Sequence, residues 1–403
     1  MRSRSYLVIV LAAGLIIGLS MGTRQTFGLF QVPMTSALGI GRADFALSLA
    51  LLNILWGLAQ PVAGMIADKY GPVRLLMFGT VLYVFGTWLM AHATSALDLH
   101  IGAGLCVGFG TAATGFSVVF GAISRTVEPK HRTMALGIAS TGGSVGQFIL
   151  LPVGQELIDG IGWSGALIVL AAIAACMAPL ALAFAAPRGA HAGTTDGRTA
   201  QPLTTAISEA FGDRSFLYLN LGFAVCGFQV LFIAAHFPAY VQDLNLSART
   251  GALALGMIAF TNIFGTYLCS LLATRYPRKL ILSSMYFLRA LVVGVMLVLP
   301  KNEITLLAIA AALGLLWLGT VPLTSDLVGH IFGVRYLGSL FGIVFLAHQI
   351  GGFVGVWAGG VIFDATQSYD WIWYGCIALG IVAGLLHLPI KEQPLMRVAA
   401  QRS

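Results

Sequence analysis

The chain has 403 residues, 58% of them hydrophobic and 9% charged, with a mean hydropathy of +0.89. An ordinary soluble domain carries about 25% charged residues, so this composition excludes a soluble globular protein and defines a polytopic membrane protein. A formal charge of +7 would suggest nucleic acid in a soluble chain. Here it reflects Lys and Arg held in loops on one side of a membrane, and no nucleic-acid partner is expected.

The apolar runs are long and continuous rather than alternating, which speaks for helices and against a β-barrel. A span needs roughly 20 apolar residues. The expected spans are about 6–32, 43–67, 74–94, 99–123, 133–156, 163–186, 216–240, 250–273, 279–299, 304–329, 337–362 and 370–390. The first run follows Arg2 and Arg4 and is too long for a signal-peptide core, so it counts as the first span. An even number of spans puts both termini on one side. Of the 22 Lys and Arg, Arg24 and Arg289 lie within spans. Arg42, Arg249 and Lys301 fall on one side, and all the others on the side of the termini. That asymmetry predicts cytoplasmic termini in a cell membrane, most simply a bacterial inner membrane.

Arg24 is the most informative residue of the first span. Its surroundings read Met21-Gly22-Thr23-Arg24-Gln25-Thr26-Phe27-Gly28, inside the apolar run from Ser5 to Phe30. A guanidinium at membrane depth costs about 3 kcal/mol even on the lenient insertion scale, and such charges usually face a water-filled cavity on a substrate or ion path. Snorkelling to an interface is the alternative.

Pro187 to Arg214 is the one long polar stretch, with Leu203 to Phe211 patterned as a short amphipathic helix. It divides the chain into an N-terminal bundle (1–186), a linker (187–214) and a C-terminal bundle (215–403). The halves correspond at an offset of 205: Gly22 with Gly227, Pro33 with Pro238, Gly137 with Gly342, Gly146 with Gly351, Asp159 with Asp364. A parallel repeat of two six-helix halves is the layout of one large transporter class, with the substrate near the midplane. Under this offset Arg24 pairs with Gln229, and the two are expected to face each other across a pseudo-twofold axis.

The loop after the second span, Gly64-Met65-Ile66-Ala67-Asp68-Lys69-Tyr70-Gly71-Pro72-Val73-Arg74, resembles the G-x-x-x-D-[RK]-x-G-x-[RK]-[RK] signature of the major facilitator superfamily. Val73 replaces one basic position. The resemblance implies an all-α fold of twelve transmembrane helices in two pseudo-symmetric six-helix bundles. It also implies a transporter rather than an enzyme, and a gating role for Gly64, Asp68, Lys69, Gly71 and Arg74. Gly71 permits the tight turn. The equivalent loop of the second half, Thr274 to Lys279, lacks the acid, with Ala273 opposite Asp68, so the latch is expected to be one-sided. A monomer is the default state for this family.

The fifth span opens with Arg132-Thr133-Met134-Ala135-Leu136-Gly137 and continues through Gly142, Gly143 and Gly146. It is similar to a stretch of the monocarboxylate and oxalate:formate branch of that superfamily, as is Gly28-Leu29-Phe30-Gln31-Val32-Pro33-Met34. The chain departs from that branch in two places. The acidic-Gly-aromatic opening of the first span is absent. In the eighth span Asn262 keeps the branch's amide, but Thr266 stands where its arginine would be. Leu150 and Leu151 replace the Gly-Pro of drug antiporters, and Gly104 stands where those proteins tend to carry an arginine, which disfavours efflux of drugs or larger metabolites as the alternative function.

The remaining buried polar residues carry open roles. Arg289 either binds ligand or ties helices together through backbone carbonyls. His236 and His348 are structural or proton-carrying. Asp326, the one carboxylate well inside a span, is a proton site or faces the vestibule. Gln25, Gln229 and Asn262 can hydrogen-bond a carboxylate. The five cysteines lie in apolar runs without metal or disulfide spacing, so neither metal nor cofactor is expected. Arg24, with Arg289 and His236, faces no acid at similar depth, which favours an anionic substrate. The expectation is a small organic anion, a mono- or dicarboxylate, carried as proton symport or anion exchange. Arg24 would bind its carboxylate, Gln229 or Asn262 its far end, and Phe27 or Trp317 its apolar part; His236 or Asp326 would carry any coupled proton.

Overall fold

Mostly apolar sequence without proline runs through the first span as far as Val32. In lipid such a segment must satisfy its own backbone groups, and a helix does so. The computed structural model describes residues 6–126, 129–185, 202–333 and 336–395, without the side chains of residues 6, 68 and 124–134. The linker residues 187–201 and the side chains of Asp68 and Arg132 therefore lie outside the described residues.

The first span is α1 (Tyr6–Thr26), a 3-10 turn at Phe27–Phe30, and α2 (Gln31–Leu38), closed by Gly39 at φ 64°. Then come α3 (Arg42–Tyr70) and α4 (Pro72–Ala91), joined by Gly71 at φ 89°. The fourth span is broken into α5 (Ala96–Leu99), a widened turn at His100–Val107, α6 (Gly108–Thr114) and α7 (Phe116–Thr126). Next are α8 (Pro129–Ala175) and the short α9 (Met177–Ala181). The segment patterned as an amphipathic helix is α10 (Leu203–Gly212). The second half comprises α11 (Arg214–Asp243), α12 (Ala248–Leu272), α13 (Arg278–Val298), α14 (Glu303–Leu315), α15 (Thr320–Phe332), α16 (Leu337–Thr366) and α17 (Asp370–His387). Every regular element among the described residues is helical.

Among the described residues eleven helical segments are long and apolar enough to cross a membrane, one fewer than the sequence suggests. The reason is local. Ala135–Phe184 forms one continuous apolar segment of 50 residues. At 1.5 Å per residue that is about two and a half times the thickness of a bilayer core. It bends at Gly162, whose φ of 76° only glycine adopts freely, so its two arms are the expected fifth and sixth spans.

The repeat is visible in the packing. α1 lies along α8, and α11 lies along α16, the equivalent pair. Both contacts are made backbone to backbone at small residues, as small-residue spacing in membrane helices allows. A Cβ at Gly22 would collide with the backbone of Gly146, and one at Gly351 with the backbone of Ala224.

The halves meet through α3 with α16 and α8 with α12. Their contacts run from the end away from the termini, hereafter the far end, to the midplane. Arg42 pairs with Asp243, Trp56 packs on Phe345 at 5.5 Å, and Phe148 lies 5.3 Å from Phe260. Among the described residues the halves are thus in contact at the far end.

Candidate functional site

Arg24 sits in the last turn of α1, just before the 3-10 turn at Phe27–Phe30. There Thr23 O accepts from Thr26 Oγ1 at 2.8 Å. The residue is half-buried, with its Nε fully covered. Its Nη1 donates to Asn53 Oδ1 at 3.2 Å and its Nη2 to Gln25 Oε1 at 3.4 Å. The charge lies 5.1 Å from the ring centre of Trp56, a cation–π distance. Its Nε has no partner, and no carboxylate pairs with Arg24 among the described residues.

A small cavity of about 20 Å³ opens beside it. Arg24, Gln25 and Asn53 form its polar edge. Leu49 and Leu52 of the first half and Leu231 and Ala234 of the second form its apolar wall. That volume holds about one water and no organic ion. Gly28 shapes it: a Cβ there would strike the carbonyl of Ala234, so glycine lets the two halves approach at backbone distance.

The other residues singled out in the sequence lie elsewhere. Arg289 is fully enclosed within the second half. Its Nη2 donates to the carbonyls of Leu316 and, at 2.9 Å, Trp317; its Nη1 donates to Gln229 Oε1 at 3.0 Å. Gln229 spends its amide nitrogen on Cys376 O at 2.7 Å. Arg24 and Gln229 therefore do not meet across the axis: Gln229 is turned into its own bundle. Asn262 braces the broken tenth span, accepting from Leu318 N at 3.0 Å and donating to Ser144 at 3.2 Å. Phe27 and Trp317 are packed in the core. Asp326 pairs with Arg278 on the termini side. His236 is enclosed at the far end, with Nε2 2.8 Å from Val356 O and Nδ1 3.0 Å from Gln31. The structure thus brings none of these side chains to the Arg24 cavity.

Sequence reasoning missed Asn53 and Trp56. They stand three residues apart in α3 and so share one helix face. An amide inside an apolar run was the available signal. Gln349 Nε2 donates to Asn53 O at 2.9 Å, tying α16 to the same spot.

Two helical bundles, packed about a midplane that carries an unpaired cation at a cavity, define a membrane transporter. The chain belongs to the Major Facilitator Superfamily, whose model matches residues 11–356 and again 238–403. Among curated proteins it is similar to human monocarboxylate transporter 11, at 29% identity, covering 90% of this chain and 78% of the relative. It is also similar to the MFS-type transporter YcxA of Bacillus subtilis, at 25% identity, covering 92% of this chain and 91% of the relative. Among solved structures it resembles a bacterial homolog of the human lysosomal transporter Spinster, inward-facing and unoccupied, with a TM-score of 0.73 at 16% identity over 96% of each chain. It likewise resembles a point mutant of the nucleoside transporter NupG, with a TM-score of 0.76 at 12% identity over 96% of this chain and 99% of that one. The two structures show the fold alone.

Proposed function

We propose that this transporter moves a small organic anion, most simply a monocarboxylate, by alternating access, as proton symport or anion exchange. The observation that carries the reading is Arg24: a half-buried arginine at the cavity wall with no carboxylate partner among the described residues. An uncompensated cation at this depth is costly, and an anionic substrate offsets the cost. One cation facing a wall of Leu and Ala suits a molecule with one charged head and an apolar remainder. The similarity to monocarboxylate transporters supports the same class.

In this reading the halves 1–186 and 215–403 rock about the Arg24 site, the termini are cytoplasmic, and the protein works as a monomer. The positive-inside distribution of Lys and Arg supports that orientation. The far end then faces outward, and the structure corresponds to a state closed to the outside. The Asp68 loop would latch the opposite state. Gln25 and Asn53 hold the guanidinium in place, and Arg289 with Gln229 braces the second bundle.

The test is thermal stabilisation of the detergent-purified protein across a panel of carboxylates, repeated with Arg24→Gln. A ligand that binds the folded state raises its melting temperature by mass action. The expected result is a rise with at least one monocarboxylate that the folded Arg24→Gln variant lacks. An equal response in the variant would sink the assignment.

A further inference from the structure

Arg42 opens α3 at the far end of the first half, and nearly everything it touches belongs to the second. Its guanidinium clasps Asp243, at the end of α11, with both nitrogens, at 2.6 and 2.7 Å. It lies 3.7 Å from the ring centre of Phe363, and Nη1 donates to Tyr369 Oη at 3.0 Å. The backbone N–H groups of Arg42 and Ala43 donate to the two carboxylate oxygens of Asp364 in α16, at 3.0 and 2.8 Å. A carboxylate of one half thereby caps a helix of the other, where the N-terminal dipole favours negative charge.

The network continues inward. Tyr369 Oη lies 3.0 Å from His236 Nδ1, and Gln31 Nε2 lies 3.0 Å from the same atom. With Nε2–H donating to Val356 O, Nδ1 is the acceptor for both. Burial raises the Tyr369 phenol above its ordinary value, which keeps its proton available to donate. Glycines make the approach possible: a Cβ at Gly360 would strike the backbone of Ala43.

We propose that Arg42, Asp243, Asp364, Tyr369, His236 and Gln31 form the far-side gate, which must part each time the Arg24 cavity opens away from the termini. The inference rests on the alternating-access reading above. Three features separate this network from a static brace. Its central contacts cross between the halves, whereas the Arg289–Gln229 pair lies within one. Its charges are partly solvated: the side chains of Arg42 and Asp243 are 14% and 32% exposed, so both can rehydrate when parted. It is also one-sided. Ser247, the repeat counterpart of Arg42, caps its own helix, and the neighbouring Arg249–Glu156 pair is exposed at 69% and 59%. Exposed pairs of that kind contribute little.

The test measures far-side access. Native cysteines are replaced, Ala235→Cys is placed on the cavity wall, and the protein is reconstituted in vesicles of defined orientation. A membrane-impermeant maleimide is added on the side away from the termini. The expected result is an increase in labelling rate of about tenfold or more in the Asp243→Asn/Asp364→Asn variant, a smaller increase in the near-isosteric Tyr369→Phe, and no change in Arg249→Ala. Tyr369→Phe removes one hydroxyl, so it keeps the test valid should the double variant fold poorly. Labelling at the background rate in folded Tyr369→Phe and in the folded double variant overturns the proposal. Because the readout needs no anion, it stays interpretable if no carboxylate binds at Arg24.

Discussion

Gln31 and His236 stand 205 residues apart and hydrogen-bond to each other, Nε2 to Nδ1, at 3.0 Å. That separation is the repeat offset itself, so the same position of each half meets its counterpart on the pseudo-twofold axis. One copy carries an amide donor and the other an imidazole acceptor. Both ring nitrogens of His236 are engaged, since Nε2 reaches Val356 O.

The pair should therefore be energetically coupled. In a double-mutant cycle of Gln31→Ala and His236→Ala, read by thermal melting, the coupling is expected to be about 0.5–1.5 kcal/mol, the range for a buried hydrogen bond. Strict additivity would show that the two side chains merely lie close.

Much of the fold was legible from sequence, because bilayer thickness and backbone satisfaction leave few solutions for long apolar runs. The repeat offset was legible for the same reason that the glycines are: equivalent helix pairs need small residues at equivalent places. Side-chain direction was not. Arg24 and Gln229 share the repeat register, yet Gln229 turns toward Arg289 and Cys376 O within its own bundle. Rotation of a helix about its axis is set by its neighbours, and an even apolar surround gives no amphipathic stripe from which to read it. Applied to Gln31, the same offset does point to His236, and there the structure makes the contact.

The α1–α8 contact sets a strict limit on side-chain size. A Cβ at Gly146 would collide with the backbone of Gly18, which cannot swing aside like a flexible side chain. Gly146→Val should cost about 1–3 kcal/mol through overpacking and displacement of α8. A melting curve should show this as a clear drop, whereas Gly137→Ala, with nothing within 4 Å of its added Cβ, should leave the melt within error.

Arg289 gives a prediction of opposite kind. It satisfies Gln229 Oε1 and the carbonyls of Leu316 and Trp317, where α14 ends and the tenth span breaks. Arg289→Met would strand these buried acceptors at about 1–3 kcal/mol each, reduced by local relaxation. The variant should melt lower yet keep the wild-type carboxylate preference in the stabilisation assay. A changed preference with an unchanged melt would instead place Arg289 at the ligand.

Arg24 permits a finer test than removal of its charge. Lys at this position keeps a cation but replaces a planar fork with a flexible point charge, so it cannot present two parallel donors to a carboxylate. It also gives up the hydrogen bond from Nη1 to Asn53 and shifts the charge that lies 5.1 Å from the Trp56 ring centre. Loss of one charge-assisted hydrogen bond is worth about 1.5–3 kcal/mol, or roughly 10- to 150-fold in affinity. Anion affinity measured by calorimetry should therefore fall in the order wild type, Arg24→Lys, Arg24→Gln, with the lysine variant well separated from both. If Arg24→Lys matched wild type, the cation would act through its field alone. If it matched Arg24→Gln, the geometry fixed by Asn53 and Trp56 would be what binds the carboxylate, and Asn53→Ala should then weaken binding nearly as much.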